Sequence, residues 1–393
     1  MKVKPAERTN TVQEYYFSQK LAEIDRMRKA GADVINLGIG SPDQPPSPGT
    51  IQALIGEALK STSHGYQSYK GIPILRQRFA EWYKKYFGVS LDPEKEILLL
   101  MGSKEGIMHI SMAFVNPGDE VLVPDPGYPT YTSVTSLVGG VVRKYELDEK
   151  NGWLPDLDAL EKSDLSKVRV MWINYPHMPT GTKASGALFE KLVSFGARNN
   201  ILLVNDNPYN FIQNRDYHSI LEVKDAMDTA LELNSLSKSH NMAGWRIGMV
   251  AGHNEYISNI LKVKSNMDSG MFLAMQVAAA EALNNPDSWY DSVNEVYTVR
   301  RKIVGEIMDI LGCSYSSEQA GLFVWGRIPE ETPDVEEFIE DLLQESHVFI
   351  TPGFIFGEKG RRYIRISLCA SDRRLKEAKN RLTEYKRNHN RKN

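Results

Sequence analysis

TALELNSLSKSHNMAGWRIG, Thr229 to Gly248, begins with an alternating run of apolar and polar residues and then places Lys238 among serines and other small residues. Arg246 follows eight positions later. A solvated lysine needs no such setting, whereas a lysine that does covalent chemistry does. The run before Lys238 reads as a strand, and RIGMVAG, Arg246 to Gly252, reads as the next one.

The same rhythm continues upstream. DEVLVPDPGYP (Asp119–Pro129), VRVMWINYPHMPTG (Val168–Gly181) and ILLVNDNPY (Ile201–Tyr209) each read as a short strand running into a turn. GSKEGIMHISMAFVN (Gly102–Asn116) and ALFEKLVSFGARNN (Ala187–Asn200) read as helices between them. Strands alternating with helices predict an α/β fold with a mainly parallel sheet, and strands apolar on both faces suit its buried interior. From Pro286 onward the pattern changes. A long helix, Ser292–Leu311, precedes strands in GLFVWGRI, HVFITPG and RRYIRISLC, which together read as an α+β unit. The helical N-terminal segment, with Phe17, Leu21, Ile24 and Met27 on one face, is expected to join that unit, because chain ends commonly lie close together. The expected division is a large domain over 46–285 and a small one from 1–45 and 286–393.

At 393 residues the chain exceeds one ordinary core, which agrees with two domains. A net charge of -3 gives no basic footprint for nucleic acid, and the basic tail Lys386–Asn393 reads as a solvated terminus. Cys313 and Cys369 are too few for a disulfide framework or a metal cluster. They suit a reducing cytoplasm, and their apolar neighbours predict small core residues. No uncharged apolar run of about 18 residues exists to span a membrane, and the first thirty residues, charged throughout, lack a signal-peptide core.

The unusual residues fall after strands. PDPGYPTY (Pro124–Tyr131), NYPHMPTG (Asn174–Gly181), Asp206 with Tyr209, and Ser235 to Lys238 follow four of them. Ligands of open α/β sheets bind at the carboxyl ends of the strands, so these four groups are expected to share one site. MGSKEGI, Met101–Ile107, adds a helix start whose free N–H groups suit an anion. Ser235 and Arg246 are good phosphate partners. GIG at 38–40 lacks the third glycine of a dinucleotide fingerprint, so that reading is rejected. A lysine able to form a Schiff base, a phosphate cradle and a strand-end carboxylate together point to pyridoxal phosphate.

On these motifs the chain resembles the class I and II aminotransferases of pyridoxal-phosphate fold type I over nearly its full length. GSKEGI and NMAGWRIG make it most similar to the branch of LL-diaminopimelate aminotransferase-like proteins. GYQSYKG (Gly65–Gly71) and YIRIS (Tyr363–Ser367) fall in the order that the resemblance implies. The implied fold is a large α/β/α domain with a mainly parallel mixed sheet and a smaller α+β domain built from both chain ends. Lys238 would hold the cofactor as a Schiff base and then shuttle the proton. Asp206 would pair with the pyridine nitrogen and keep it protonated. Tyr209 would bond the phenolic oxygen, Tyr128 would stack on the ring, and Asn174 would lie beside it. Ser103 and Lys104, through their amides, with Ser235, Ser237 and Arg246, would hold the phosphate. Tyr66 would reach the phosphate of a neighbouring subunit, which implies a homodimer. Arg365 would take the substrate α-carboxylate, helped by the Gly40 N–H, and Tyr15 would line the substrate pocket. The implied reaction is ping-pong transfer of an amino group from an L-amino acid to a 2-oxo acid, 2-oxoglutarate first among them, with no metal.

One position departs from the family. Asparagine usually precedes PTG and donates to the phenolic oxygen, whereas Met178 stands there and cannot donate. The expectation is a raised pKa of the Schiff base unless His177, Asn174 or a water compensates. Met178→Asn should then lower the midpoint of the cofactor's visible titration, and an unchanged midpoint would refute the idea. Arg300 and Arg301, in the long helix, read as solvated rather than as a clamp for an acidic substrate. Fold does not fix function, so a pyridoxal-phosphate β-lyase and a non-catalytic cofactor-binding protein stand as alternatives. The donor's side chain is not legible: aromatic amino acids, aspartate, glutamate and diaminopimelate all fit.

Overall fold

Seven short strands form one sheet in the computed structural model, which describes residues 3–12 and 16–390. Across the sheet the order is Ile97–Leu100, Gly248–Gly252, Ala230–Ser235, Leu202–Asp206, Val168–Ile173, Glu120–Asp125 and Val141–Glu146. Gly248–Gly252 runs antiparallel to both neighbours, and the other pairings are parallel. The expected α/β architecture with a mainly parallel mixed sheet is therefore present. Side chains along a strand alternate between faces, and both faces here are covered. Leu99, Leu122, Met171 and Leu203 join one apolar cluster, while Leu98, Leu100, Val121, Val123, Val170, Trp172 and Val204 join the cluster on the other face. Two strands escaped the sequence reading. Ile97–Leu100 has only four residues, and Val141–Glu146 is an edge strand whose Arg143 and Lys144 mask its pattern.

Local signals set the helix starts that matter for the site. Gly102, at φ 81°, turns the chain into Ser103–Phe114, and Pro129 opens Pro129–Leu137 directly after Tyr128. Lys238 sits in the short helix Leu236–Ser239, whose N-cap Ser235 accepts from the Ser237 N–H.

A second, antiparallel sheet orders Thr351–Pro352, Tyr363–Ser367, Phe323–Arg327 and Ser314–Tyr315. It packs with the helices Asp287–Ile310, Val335–Ser346 and Asp372–Asn390 around a third apolar cluster. The N-terminal segment meets this region: Ile35–Asn36 pairs in parallel with Val348–Phe349. Both cysteines are buried and free. Among the described residues no helix is long and apolar enough to cross a membrane.

The two arginines of the long helix correct the sequence reading. Arg300 is 2% exposed and paired with Asp43 and Asp372, and Arg301 is partly buried, its Nη2 donating to the Gly321 carbonyl at 3.3 Å. Their acceptors, Asp43, Asp372 and the Leu368 and Gly321 carbonyls, lie on other elements, where local pattern shows nothing.

Candidate active site

The carboxyl ends of the parallel strands open into a cleft of about 380 Å3, a volume suited to a cofactor with a small substrate. Its wall includes Ser103, Lys104, Tyr128, Asn174, Asp206, Tyr209, Ser235, Ser237, Lys238 and Arg246 from the large sheet, with Gly40 and Arg365 opposite. Tyr66 does not line it: this tyrosine is 94% exposed on the surface. Tyr15 lies outside the described residues.

Lys238 is partly buried, and its ammonium donates to the Gly40 carbonyl. Burial lowers the pKa of its amine, and the charges of Arg365 and Arg246 push the same way. Less of the cation means more of the free amine, the form that attacks a carbonyl.

Asp206 ends its strand at 5% exposure. Its Oδ2 accepts from the Tyr131 hydroxyl at 3.1 Å, while its Oδ1 is buried with no hydrogen-bond partner among the described residues. Burial pushes this carboxyl up to about 6. Tyr131 is a functional neighbour that the sequence pattern does not single out. It is fully buried, stacked on Trp172 with ring centroids 5.1 Å apart. Its spacing three residues beyond Tyr128 is the signal that was available.

Arg246 adopts the left-handed conformation at φ 57°, rare for a side chain of its size and typical of constrained sites. Its Nη1 donates to the Ala243 carbonyl at 3.0 Å and reaches Ser237 Oγ at 3.4 Å. A Cβ on Gly102 would lie 2.3 Å from Arg246 Nη2, so only glycine admits the guanidinium to the start of the Ser103 helix. Ser235 Oγ lies 2.9 Å from Ser237 Oγ. Hydroxyls, guanidinium and helix N–H groups thus converge at one end of the cleft.

Arg365 stands at the other end, 4% exposed. Its Nη2 donates to the Gly38 carbonyl at 2.8 Å, and its guanidinium lies 3.8 Å from the Phe323 ring centroid and 4.6 Å from that of Phe356. Gly40 packs under Phe323: a Cβ there would meet Phe323 Cζ at 2.1 Å. Phe17, Leu21, Phe323 and Phe356 were not anticipated as lining residues, since nothing in an apolar residue marks it as facing a cleft.

Met178 also reaches this end, its sulfur 3.2 Å from Arg365 Nη1. Asn174 does not point a free amide at the cleft. Its Nδ2 donates to the Asp206 carbonyl, and its Oδ1 accepts from the Met178 N–H at 2.9 Å. His177 is not among the lining residues, turns Nδ1 to Thr180 Oγ1 at 2.8 Å, and is pushed down to about 3 by burial.

These residues fit pyridoxal phosphate on their own chemistry. The orphan Asp206 oxygen asks for a cationic donor such as a protonated pyridine nitrogen. The cradle at Gly102 asks for an anion, and the lysine amine opens into the same cleft.

Comparison with known proteins agrees. The family profile described as aminotransferase class I and II matches residues 32–382. An LL-diaminopimelate aminotransferase of Oleidesulfovibrio alaskensis is 42% identical, covering 96% of this chain and 98% of its own length. Another LL-diaminopimelate aminotransferase, from Natranaerobius thermophilus, is 40% identical over 97% of this chain and 99% of its own. The solved structure of apo-BacF from Bacillus subtilis superposes with a TM-score of 0.94 at 34% identity, covering 98% of this chain and 99% of that one. The expected fold, PLP fold type I, and the expected cofactor both stand. The chain belongs to the class I and II aminotransferases and is a pyridoxal-phosphate-dependent enzyme of that family.

Proposed function

We propose that Lys238 carries the cofactor and that the enzyme moves the amino group of an L-amino acid to 2-oxoglutarate in two half-reactions. LL-diaminopimelate is the first donor to test, because relatives of that name share two-fifths of their residues with this chain. The observation that carries the reading is one cleft holding a desolvated amine, Lys238, a carboxylate oxygen of Asp206 without a hydrogen-bond partner among the described residues, and a buried guanidinium, Arg365. A second donor class has its own support. Phe17, Leu21, Ile39, Phe323 and Phe356 give the Arg365 end an apolar flank, which favours a side chain without charge.

Bound pyridoxal phosphate supplies a ring that takes up the electron pair left when the substrate α-carbon loses its proton. Asp206 supports this by holding positive charge at the pyridine nitrogen. With the cofactor bound, Lys238 would be the base that takes the proton from the α-carbon and returns it on the cofactor side. Arg365 grips the α-carboxylate through two parallel N–H donors, with the Gly40 N–H beside it, and so orients the α-hydrogen toward Lys238. Tyr209 would donate to the cofactor's phenolic oxygen and Tyr128 would cover its ring, while Asn174 links the Asp206 carbonyl to the Met178 N–H. Ser103, Lys104, Ser235, Ser237 and Arg246 hold the phosphate.

The active unit in this reading is a homodimer in which each Tyr66 serves the other subunit's phosphate. Tyr66 and Leu59, exposed at 94% and 82%, support a covered surface in the assembly. Residues 46–285 form the cofactor domain, and 1–45 with 286–393 the small domain. Free buried cysteines support a cytoplasmic setting.

The test is the visible spectrum of the purified protein with single L-amino acids and no oxo acid. The yellow band is expected to fade with the true donor and to return on adding 2-oxoglutarate. Pyruvate released without any oxo acid would replace this reading with a β-lyase. A protein that takes up no pyridoxal phosphate would overturn it.

A further inference from the structure

The stretch from Leu37 to Asp43 has no helix or strand of its own, yet it supplies the main-chain wall at the Arg365 end of the cleft. Side chains hold it. Arg365 Nη2 donates to the Gly38 carbonyl at 2.8 Å, Ser367 Oγ to the Ile39 carbonyl at 2.7 Å, and Lys238 to the Gly40 carbonyl. Thr351 Oγ1 also donates to the Gly38 carbonyl at 3.3 Å and Asn36 Oδ1 accepts from the Gly38 N–H at 2.8 Å, so two of the five side-chain ties come from Lys238 and Arg365, the groups that engage ligand. A fixed wall needs anchors that ligand does not claim.

Arg300 provides one. Its Nη1 and Nη2 grip Asp43 bidentately at 2.6 and 2.9 Å, Nη1 also donates to the Leu368 carbonyl at 3.1 Å, and Nε donates to Asp372 at 2.9 Å. One planar guanidinium thereby joins the loop, the end of the Arg365 strand and the start of the C-terminal helix. The fork suits arginine and not lysine, because three acceptors are served in one plane. The Arg300 side chain is 3% exposed while Asp43 and Asp372 are 29% and 46% exposed, so the guanidinium is sealed in and depends on these carboxylates to offset its burial.

We propose that the Asp43–Arg300 pair is a positioning latch, which fixes Gly38 and Gly40 against Arg365 and Lys238 independently of bound substrate. The proposal rests on the reading of this cleft as the substrate site. Arg300 and Asp43 act here through the loop, outside the reacting atoms.

The two carboxylates on Arg300 supply the control. Asp43→Asn loosens the loop, while Asp372→Asn breaks the same buried guanidinium's other pair and leaves the loop tied. The holoenzyme of each variant is compared by steady-state kinetics, bound pyridoxal phosphate, thermal midpoint and hydrogen exchange of residues 37–43. Asp43→Asn is expected to lower kcat/KM by up to about a hundredfold, mostly through KM for the amino acid, as small misplacements of a binding wall do. Its cofactor content stays at the wild-type level, and exchange accelerates in 37–43 but not in 101–107. Asp372→Asn lowers the thermal midpoint with KM and loop exchange unchanged. Equal kinetic effects of the two variants, or an Asp43→Asn variant with wild-type KM and exchange, would overturn the latch. If the wild type transaminates no donor, the functional reading fails, and the exchange data alone still decide the latch.

Discussion

Asp206 and Glu232 are buried carboxylates on adjacent strands, and their surroundings treat them in opposite ways. Asn205 lies opposite Glu232 in the sheet register, one residue before Asp206. Glu232 is fully buried and saturated. Its Oε1 accepts from the Tyr83 hydroxyl and Ser219 Oγ, both at 2.9 Å, and its Oε2 from Asn205 Nδ2 at 3.0 Å and the Ile220 N–H at 3.1 Å. Asp206 has the Tyr131 hydroxyl on Oδ2, Ser103 near enough to stabilise its charge, and an Oδ1 with no hydrogen-bond partner among the described residues, and it lines the cleft. Burial raises the pKa of both. Four donors make Glu232 a cross-link among two strands, a helix and a loop, so its charge serves the fold. The open valence of Asp206 is useful only when something cationic enters. Perturbed ionisable groups cluster both in structural networks and in active sites, and the count of donors already engaged separates the two cases.

The largest effect expected from this contrast is on stability. Glu232→Ala strands several buried donors at once and should cost about 5 kcal/mol, read as a fall in the urea midpoint, while surviving folded enzyme keeps its kcat. Similar losses of kcat and stability would erase the distinction. Asp206→Ala should show the reverse: kcat falls about a thousandfold, near 4 kcal/mol of transition-state stabilisation, with no loss of stability in the cofactor-free protein.

The pH dependence sharpens the point. In the cofactor-free protein the Asp206 carboxyl titrates near 6 instead of 3.8, so the folded state holds a proton that the unfolded chain has released. Stability therefore falls as pH rises from about 4 to about 6, by about 3 kcal/mol from this group, and stays low above that window. Asp206→Asn should remove that slope, which urea denaturation at pH 4.5 and pH 7 would measure. A slope that survives the substitution would assign it to another group. The smallest effect belongs to Tyr131→Phe. The hydroxyl stabilises the charged carboxylate, so its loss should extend the window upward by less than about one pH unit, worth about 1 kcal/mol.

Lys238, Asp206 and Arg246 were legible because each stands at a fixed short distance from a strand end, and strands of apolar residues are readable locally. The parallel sheet was legible for the same reason. The partners of these residues were not. Asp43 and Arg300 meet across 257 positions, and Met178 meets Arg365 across 187. Arg300 was read as solvated because a helix pattern shows which residues share a face, not which acceptors wait opposite it. Phe17 and Phe323 look like any core residue, and only the folded chain brings them to the cleft.

The sequence by itself determined the α/β layering, the lysine, the strand-end carboxylate and the family, because these depend on residue type and short spacing. The tertiary structure decided which buried charges are satisfied. It gave Glu232 four donors and left Asp206 an open oxygen, and it closed Arg300 on Asp43. The physical reason is desolvation. Burial sets the energy of a charged group, and both the burial and the partners that offset it are supplied by segments far apart in the chain.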